Sequence, residues 1–239
     1  MKKIKIIPKS EESSFIINIE KASVHIPDWY KLSKQKIKGL EKFSLIPDFP
    51  ETTTSTYKKC SPFLDALTNG YIFYLTQDIE VLIKDDGSPY IIWRPANMPD
   101  LVTSHHNDQW SGLEWPKDCH EFVYKWENNF IIKTPKRYSI LFTQPMHRQS
   151  VFTILDGIVD TDTYKAPVNF PFVLNDLKWE GIIPAGTPMA QVIPFKREPW
   201  EHKIGSDKEI KEKNEILGNL TSLFFNSYKK QFWNKKEYR

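Results

Sequence analysis

The feature that most constrains this chain is a rhythm of short apolar runs through its second half. From Glu121 onward, Phe122–Trp126, Phe130–Lys133, Tyr138–Thr143, Phe152–Val159, Val168–Leu174, Gly181–Ile183 and Met189–Phe195 follow one another, at about the 8–12-residue spacing of an all-β domain. Runs this short, rich in β-branched and aromatic residues, predict antiparallel strands rather than helices. The stretch from about Phe130 to Glu198 is therefore expected to form an antiparallel β unit. Two segments punctuate it: Gly157-Ile-Val-Asp-Thr-Asp-Thr-Tyr164 and Ala185-Gly-Thr-Pro-Met-Ala-Gln191.

The first half prepares this unit. Residues 1–22 alternate weakly (Ile4, Ile6, then Phe15, Ile17, Ile19), which fits an edge strand or an extended arm. Trp29 to Phe43 is Lys-rich, with Trp29, Leu32, Ile37 and Leu40 spaced as on a short surface helix. Ser61-Pro62 supplies a helix start and Asn69-Gly70 a left-handed stop, so a two-turn helix should bury Phe63, Leu64 and Leu67. Ile79–Lys84 and Tyr90–Trp93 flank Asp85-Asp86-Gly87-Ser88, a hairpin turn. Residues 94–120 are irregular and rich in Pro, Asn, His, Trp and Asp, the composition of a functional or interface-forming loop.

At the other end the period changes. Ser206 followed by Glu209 forms a capping box, and Ile210, Leu217, Leu220, Phe224, Tyr228 and Phe232 repeat at helical spacing. The expected organisation is an N-terminal arm with a surface helix (1–56), a β domain (57–203) and a C-terminal amphipathic helix (204–239). The fold class is mainly β with peripheral helices: an antiparallel clip or sandwich-like core plus that final helix.

Composition narrows the function classes. Lys and Arg (33) exceed Asp and Glu (30) by three, and the excess lies mainly at the two ends. No bulk electrostatic case for nucleic acid follows, and no nucleic-acid partner is expected. No run approaches the roughly 20 apolar residues of a membrane span, and the start is too interrupted for a signal peptide, so a cytoplasmic protein is expected. The two cysteines, Cys60 and Cys119, stand apart with no CxxC spacing and are expected to be buried or half-buried free thiols.

Three sets of side chains could carry chemistry. Asp160 and Asp162 lie two apart; in an extended segment they share one face, as a metal, sugar-hydroxyl or water-activating pair would require. In a turn, the same two carboxylates would instead cap backbone N–H groups. His147 and Arg148 follow Pro145-Met146 in a turn able to hold an anion, or else form an ion-paired surface turn. His105, His106, Asp108, His120 and Glu121 form the densest set of metal-ligand types. Their spacing fits no named motif, so no metal site is assigned. Trp93, Trp110, Trp115 and Trp126 surround the same loop and are expected to fill core rather than stack on a ligand. There is no Gly-rich phosphate loop, dinucleotide fingerprint or zinc CxxC pair.

The order of these motifs resembles that of dUTP pyrophosphatases and dCTP deaminases. Thr134-Pro-Lys-Arg-Tyr138, the Pro145–Arg148 turn, Gly157–Tyr164 and Pro184–Pro194 are similar to those enzymes' Pro-x-Gly-Tyr turn, phosphate-binding turn, Gly-x-Ile-Asp-x-Asp-Tyr corner and Gly-x-x-Ile-Ala-Gln strand. The resemblance implies a β-clip scaffold, Asp160 and Asp162 as catalytic residues, and His147, Arg148, Tyr164 and Gln191 around a phosphorylated ligand, with Mg²⁺ needed only if a nucleotide is hydrolysed. The chain departs from that pattern at Tyr164-Lys-Ala-Pro167, where the pyrophosphatases have Tyr-Arg-Gly. It departs again in lacking their paired serines and glycine-rich C-terminal lid. Lys59-Cys-Ser-Pro62, Gly70-Tyr71, Thr134-Pro135 and Tyr138-Ser139, with the Gly157 corner, also resemble elements shared by uncharacterised bacterial and tailed-phage proteins.

Three functions follow as expectations. The first is binding of a small polar or phosphorylated ligand, a nucleotide among them, at the 145–148 turn and the 157–164 corner. The second is a non-enzymatic phage structural or assembly protein, a homo-oligomer through its C-terminal helix. The third, with the least support, is a metal-dependent oxygenase built on the His105–Glu121 region.

Overall fold

A computed structural model describes residues 2–11, 13, 17–35, 56–93, 101–114, 122–176, 178–206, 208–211 and 232–234. These form two compact units, Met1–His25 with Asn69–Arg197, and Ile26–Thr68 with Glu198–Arg239. The first is mainly antiparallel β, and helices are few and short.

Its strands are β1 (Lys5–Pro8), β2 (Ile19–Lys21), β3 (Tyr71–Tyr74), β4 (Ile79–Ile83), β5 (Pro89–Trp93), β6 (Val102–Ser104), β7 (Tyr124–Trp126), β8 (Phe130–Lys133), β9 (Tyr138–Thr143), β10 (Phe152–Ile154), β11 (Gly157–Val159), β12 (Phe170–Leu174), β13 (Gly181–Ile183) and β14 (Pro188–Lys196). They build four sheets, in the orders β11-β9-β14-β3-β2, β10-β12-β7-β6, β13-β4-β5 and β1-β8. One apolar core joins them. Phe73, Phe142, Phe152, Phe170, Phe172 and Trp126 are all buried in it, with the Trp126 and Phe172 rings stacked 4.1 Å apart.

The expected strands β8, β9 and β13 have the predicted bounds, and β14 extends one residue further at each end. The run Phe152–Val159, read as one strand, is two. After Leu155, whose N–H still reaches Pro171 O, the chain leaves one sheet, and Gly157 enters another opposite Phe142. That crossing needs a glycine, because a Cβ there would stand 2.3 Å from the Phe142 ring. The β4–β5 hairpin turns at Gly87 (φ +80°), as its Asp-Gly pattern predicts.

In the second unit, α1 (Asp28–Leu32) spans five residues. The chain leaves helical geometry at Ser33, whose hydroxyl bonds back to Trp29 O. The rest of the expected Trp29–Phe43 helix, from residue 36, lies outside the described residues. Helix α2 (Ser61–Thr68) begins with Leu64 N–H donating to Cys60 O. It buries Leu67, while Phe63 stacks face to face on Tyr30 and Leu64 is half-buried. Gly70, at φ +72°, follows the helix in the expected left-handed stop, and a Cβ there would collide with Val192 O. Cys60 is exposed, contrary to expectation, and Cys119 lies outside the described residues. Ser206 meets Glu209 in one half of the expected capping box: its N–H donates to Glu209 Oε2, while its hydroxyl donates to the same oxygen instead of accepting from the Glu209 N–H, as the full box requires. The apolar stripe beyond residue 211 lies outside the described residues, apart from 232–234. No described helix is long and apolar enough to cross a membrane.

Candidate functional site

Strand β9 organises the site residues because its two ends are closed by turns of the same type. Tyr138 N–H donates to Pro135 O across the first, and Arg148 N–H to Pro145 O across the second. In each, only the third residue has positive φ: Arg137 at 69° and His147 at 57°. That is the geometry of a type II turn, which usually places glycine there. Asp160 lies beside the start of β9, because β11 pairs Val159 with Ile140. Pro145 follows its end. The two groups of candidate residues are thus held about 20 Å apart by the rise of the strand. The structure brings Asp160 to Asp162 and Arg148 to its turn, but not one group to the other.

The first end is a closed ion pair. Asp160 is not in an extended run: its carbonyl accepts from Thr163 and Tyr164 N–H, making a tight turn. Both carboxylates nonetheless face one guanidinium, that of Arg197, just past β14. Arg197 meets Asp162 through two nitrogens, at 2.9 and 2.6 Å, and Asp160 at 2.9 Å. Asp162 also accepts from Arg137 N–H at 2.8 Å, and Asp160 from the Ser139 hydroxyl at 2.6 Å. The Arg197 hydrogen bonds hold the Asp162 carboxyl down to about 2, with the Arg137 N–H adding to them. The Ser139 hydroxyl, then Arg197, lower that of Asp160. Asp162 is 5% exposed and Asp160 60%. Below the turn, the Thr134 and Thr161 hydroxyls pair at 2.8 Å. Tyr164 points outward, 46% exposed. Carboxylates matched to an arginine in this way are weak bases and poor metal ligands; what the arrangement does is tie β9, β11 and β14 together.

The second end is built differently. Gln191, fully buried on β14, accepts from Met146 N–H at 2.8 Å and donates to Asn69 O at 2.7 Å. It therefore shapes the turn instead of presenting its amide to a ligand. Because β14 pairs Gln191 with Ile72 and β2 pairs Glu20 with Ile72, the side chains of Gln191, Glu20 and Tyr74 share one face of the sheet. On this face Arg148 reaches back over the turn, donating to His25 O at 2.9 Å and Met146 O at 3.4 Å. The His25 ring packs edge-on against Tyr74, 5.4 Å away, and its Nε2 pairs with Glu20. Burial pushes the Tyr74 hydroxyl up to about 12, against the pull of nearby Arg148 and with a smaller push from Glu20. Burial also lowers the Arg148 pKa, opposed by Tyr74. The Tyr74 hydroxyl is out of reach of solvent and has no hydrogen-bond partner among the described residues. His147, on the crest of the turn, is exposed.

The histidine-rich loop holds no such cluster. His105 Nδ1 meets Gln109 Oε1 at 3.2 Å, and His106 caps a 3₁₀ turn through Asp108 N–H at 3.4 Å. Among the described residues no three His, Cys, Asp or Glu side chains gather as metal ligands; His120 and Glu121 lie outside that set. Trp126 fills core as expected and Trp110 is half-buried, while the side chain of Trp93 and all of Trp115 lie outside the described residues.

Three participants had no local signal in the sequence. Arg197 stands 35 residues beyond Asp162 and meets it because β14 pairs Lys196 with Tyr138. Tyr74 comes near Arg148 through the β3–β14 and β14–β9 pairings, and His25 joins them through the β2–β3 pairing. No protein-family model and no curated protein matches this sequence.

Proposed function

We propose that this is a binding protein for a small anionic ligand, one bearing a phosphate or carboxylate group, held at the Pro145–Arg148 end of β9. The observation that carries this reading is the Tyr74 hydroxyl, buried without an acceptor beside the desolvated Arg148 guanidinium. A buried hydroxyl left unmatched costs about 1–3 kcal/mol. An anion oxygen would satisfy it while being charge-matched by Arg148. Among the described residues Glu20 is the carboxylate at this end that opposes an anion, and one of its oxygens meets His25 Nε2.

A nucleotide on a dUTP-pyrophosphatase-like scaffold remains the most specific form of the proposal. It is supported by positive φ at Arg137, where the resembling motif has glycine. Hydrolysis is not part of the reading, because Asp160 and Asp162 are already engaged by Arg197. Mg²⁺ would enter only with a triphosphate, as its counter-ion.

Calorimetric titration with inorganic phosphate, then with deoxynucleoside triphosphates with and without Mg²⁺, tests it. Binding should be lost in Arg148→Gln and weakened about tenfold in Tyr74→Phe, with no pyrophosphate released. The absence of binding by every probe, or equal binding by both variants, would sink the proposal.

A second reading, a non-enzymatic assembly protein, is favoured by the exposure of Trp200 (88%) and Ile204 (90%) ahead of the C-terminal segment. Light scattering decides it: the full chain should exceed monomer mass, and a chain ending at Lys203 should not. Monomer mass for both removes it.

A further inference from the structure

Two sheet edges of the first unit face a common groove of about 1020 Å³, lined on one side by β5 and on the other by β6. Each is the last strand of its sheet. In an antiparallel pair alternate residues turn their N–H and C=O groups away from the partner. Lys84 N–H bonds Ser88 O, so Tyr90 also turns toward β4, and Pro89 and Ile91 turn away from it. The Pro89 carbonyl confirms the direction, since it accepts from the Tyr124 hydroxyl of β7 at 2.9 Å. On the opposite lip, Glu127 N–H bonds Leu101 O and His105 N–H bonds Val123 O, which directs Leu101, Thr103 and His105 toward β7. Val102 and Ser104 therefore turn their backbone groups outward, with no hydrogen bond there to any described residue.

The Tyr124–Pro89 contact marks one end of the groove, and Lys84 is the cationic side chain of its described lining. Lys84 lies over the Tyr90 ring, 5.4 Å from its centre. His105 and His106 stand on the other lip, and Asp108 is engaged by His106 at 3.4 Å.

We propose that this groove accepts one extended peptide segment of a partner protein, which adds as a strand along β5 and β6 and carries an acidic side chain at the Lys84 end. An extended backbone is the chemistry that outward-facing amides and carbonyls recognise: β6 offers those of Val102 and Ser104, and β5 those of Ile91, since Pro89 has no N–H and its carbonyl is taken by Tyr124. A volume this size is at the upper end of ligand pockets, enough for several residues. The acidic preference follows from Lys84. This inference does not depend on the anion site, which involves none of these residues.

The test uses the full chain and three fluorescein-labelled heptapeptides of alternating Val and Thr: one ending in Glu, one ending in Lys, and the Glu peptide with N-methylated central amides. Fluorescence anisotropy should show binding of the Glu peptide, at least tenfold weaker binding of the Lys peptide, and none of the N-methylated one. Ser104→Pro removes a single outward N–H from an exposed position and should weaken binding about tenfold at unchanged melting temperature; Lys84→Glu should reverse the charge preference. No binding by any peptide, or Glu-peptide binding indifferent to N-methylation, overturns the proposal whether or not the variants fold.

Discussion

The two ends of β9 use the same turn and nearly the same ingredients, and they come out chemically opposite. At the start of the strand, a left-handed Arg137 leads into a corner where two carboxylates meet one arginine, and every charge there has its match. At the end, a left-handed His147 leads into Arg148, which donates to the Met146 and His25 carbonyls near a tyrosine hydroxyl that has no partner among the described residues. Satisfied polar clusters hold a fold together, and unsatisfied ones are tolerated where something else completes them. The difference assigns stability to the aspartate corner and binding to the arginine turn, although the sequence alone makes the aspartates the more eye-catching pair.

The comparison can be broken most sharply at Arg197. Arg197→Ala should produce the largest loss of melting temperature of the variants considered, because it strands Asp162 with almost no solvent access, while phosphate affinity stays within about twofold of the parent. A lost affinity with little change in melting temperature would reverse the two roles. The pH dependence comes next. Asp162 is held at about 2, below its ordinary value of 3.8, so its contribution is fully present above that value and disappears as pH falls toward 2. Urea unfolding between pH 5 and pH 2 should show this decline, and Asp162→Asn should flatten it.

Gln191→Leu keeps the buried volume but leaves Met146 N–H and Asn69 O unmatched. A loss of about 1–3 kcal/mol is expected, together with weaker phosphate binding as the turn loosens. The smallest stability effect belongs to Tyr74→Phe. Removing an unmatched buried hydroxyl should leave stability unchanged or raise it by up to about 1 kcal/mol, while binding falls about tenfold. A destabilisation of several kcal/mol would mean that the hydroxyl has a structural partner after all.

Much of this architecture was legible before the fold was seen. The bounds of β8, β9 and β13 follow from alternation between turn residues, and Gly70 and Gly87 mark the turns their patterns predict. What escaped was pairing over distance. The break at Leu155-Asp156 does carry an Asp156-Gly157 turn signal, which reading the run as one strand passes over; that the two halves belong to different sheets is set by pairing over distance. The site suffered more. Asp160, Asp162 and Arg148 were visible as types, but their meaning depends on Arg197 and Tyr74, which reach them through the β14–β9 and β3–β14 registers. The resemblance implied all the candidates around one ligand; the length of β9 separates them.

The central claim, that the ligand site is the arginine turn and not the aspartate corner, can be read from one nuclear magnetic resonance titration of the arginine side chains with inorganic phosphate. The Arg148 guanidinium signals should shift in a saturable way while those of Arg197 stay fixed. Saturable shifts at Arg197, with Arg148 unmoved, would contradict the account.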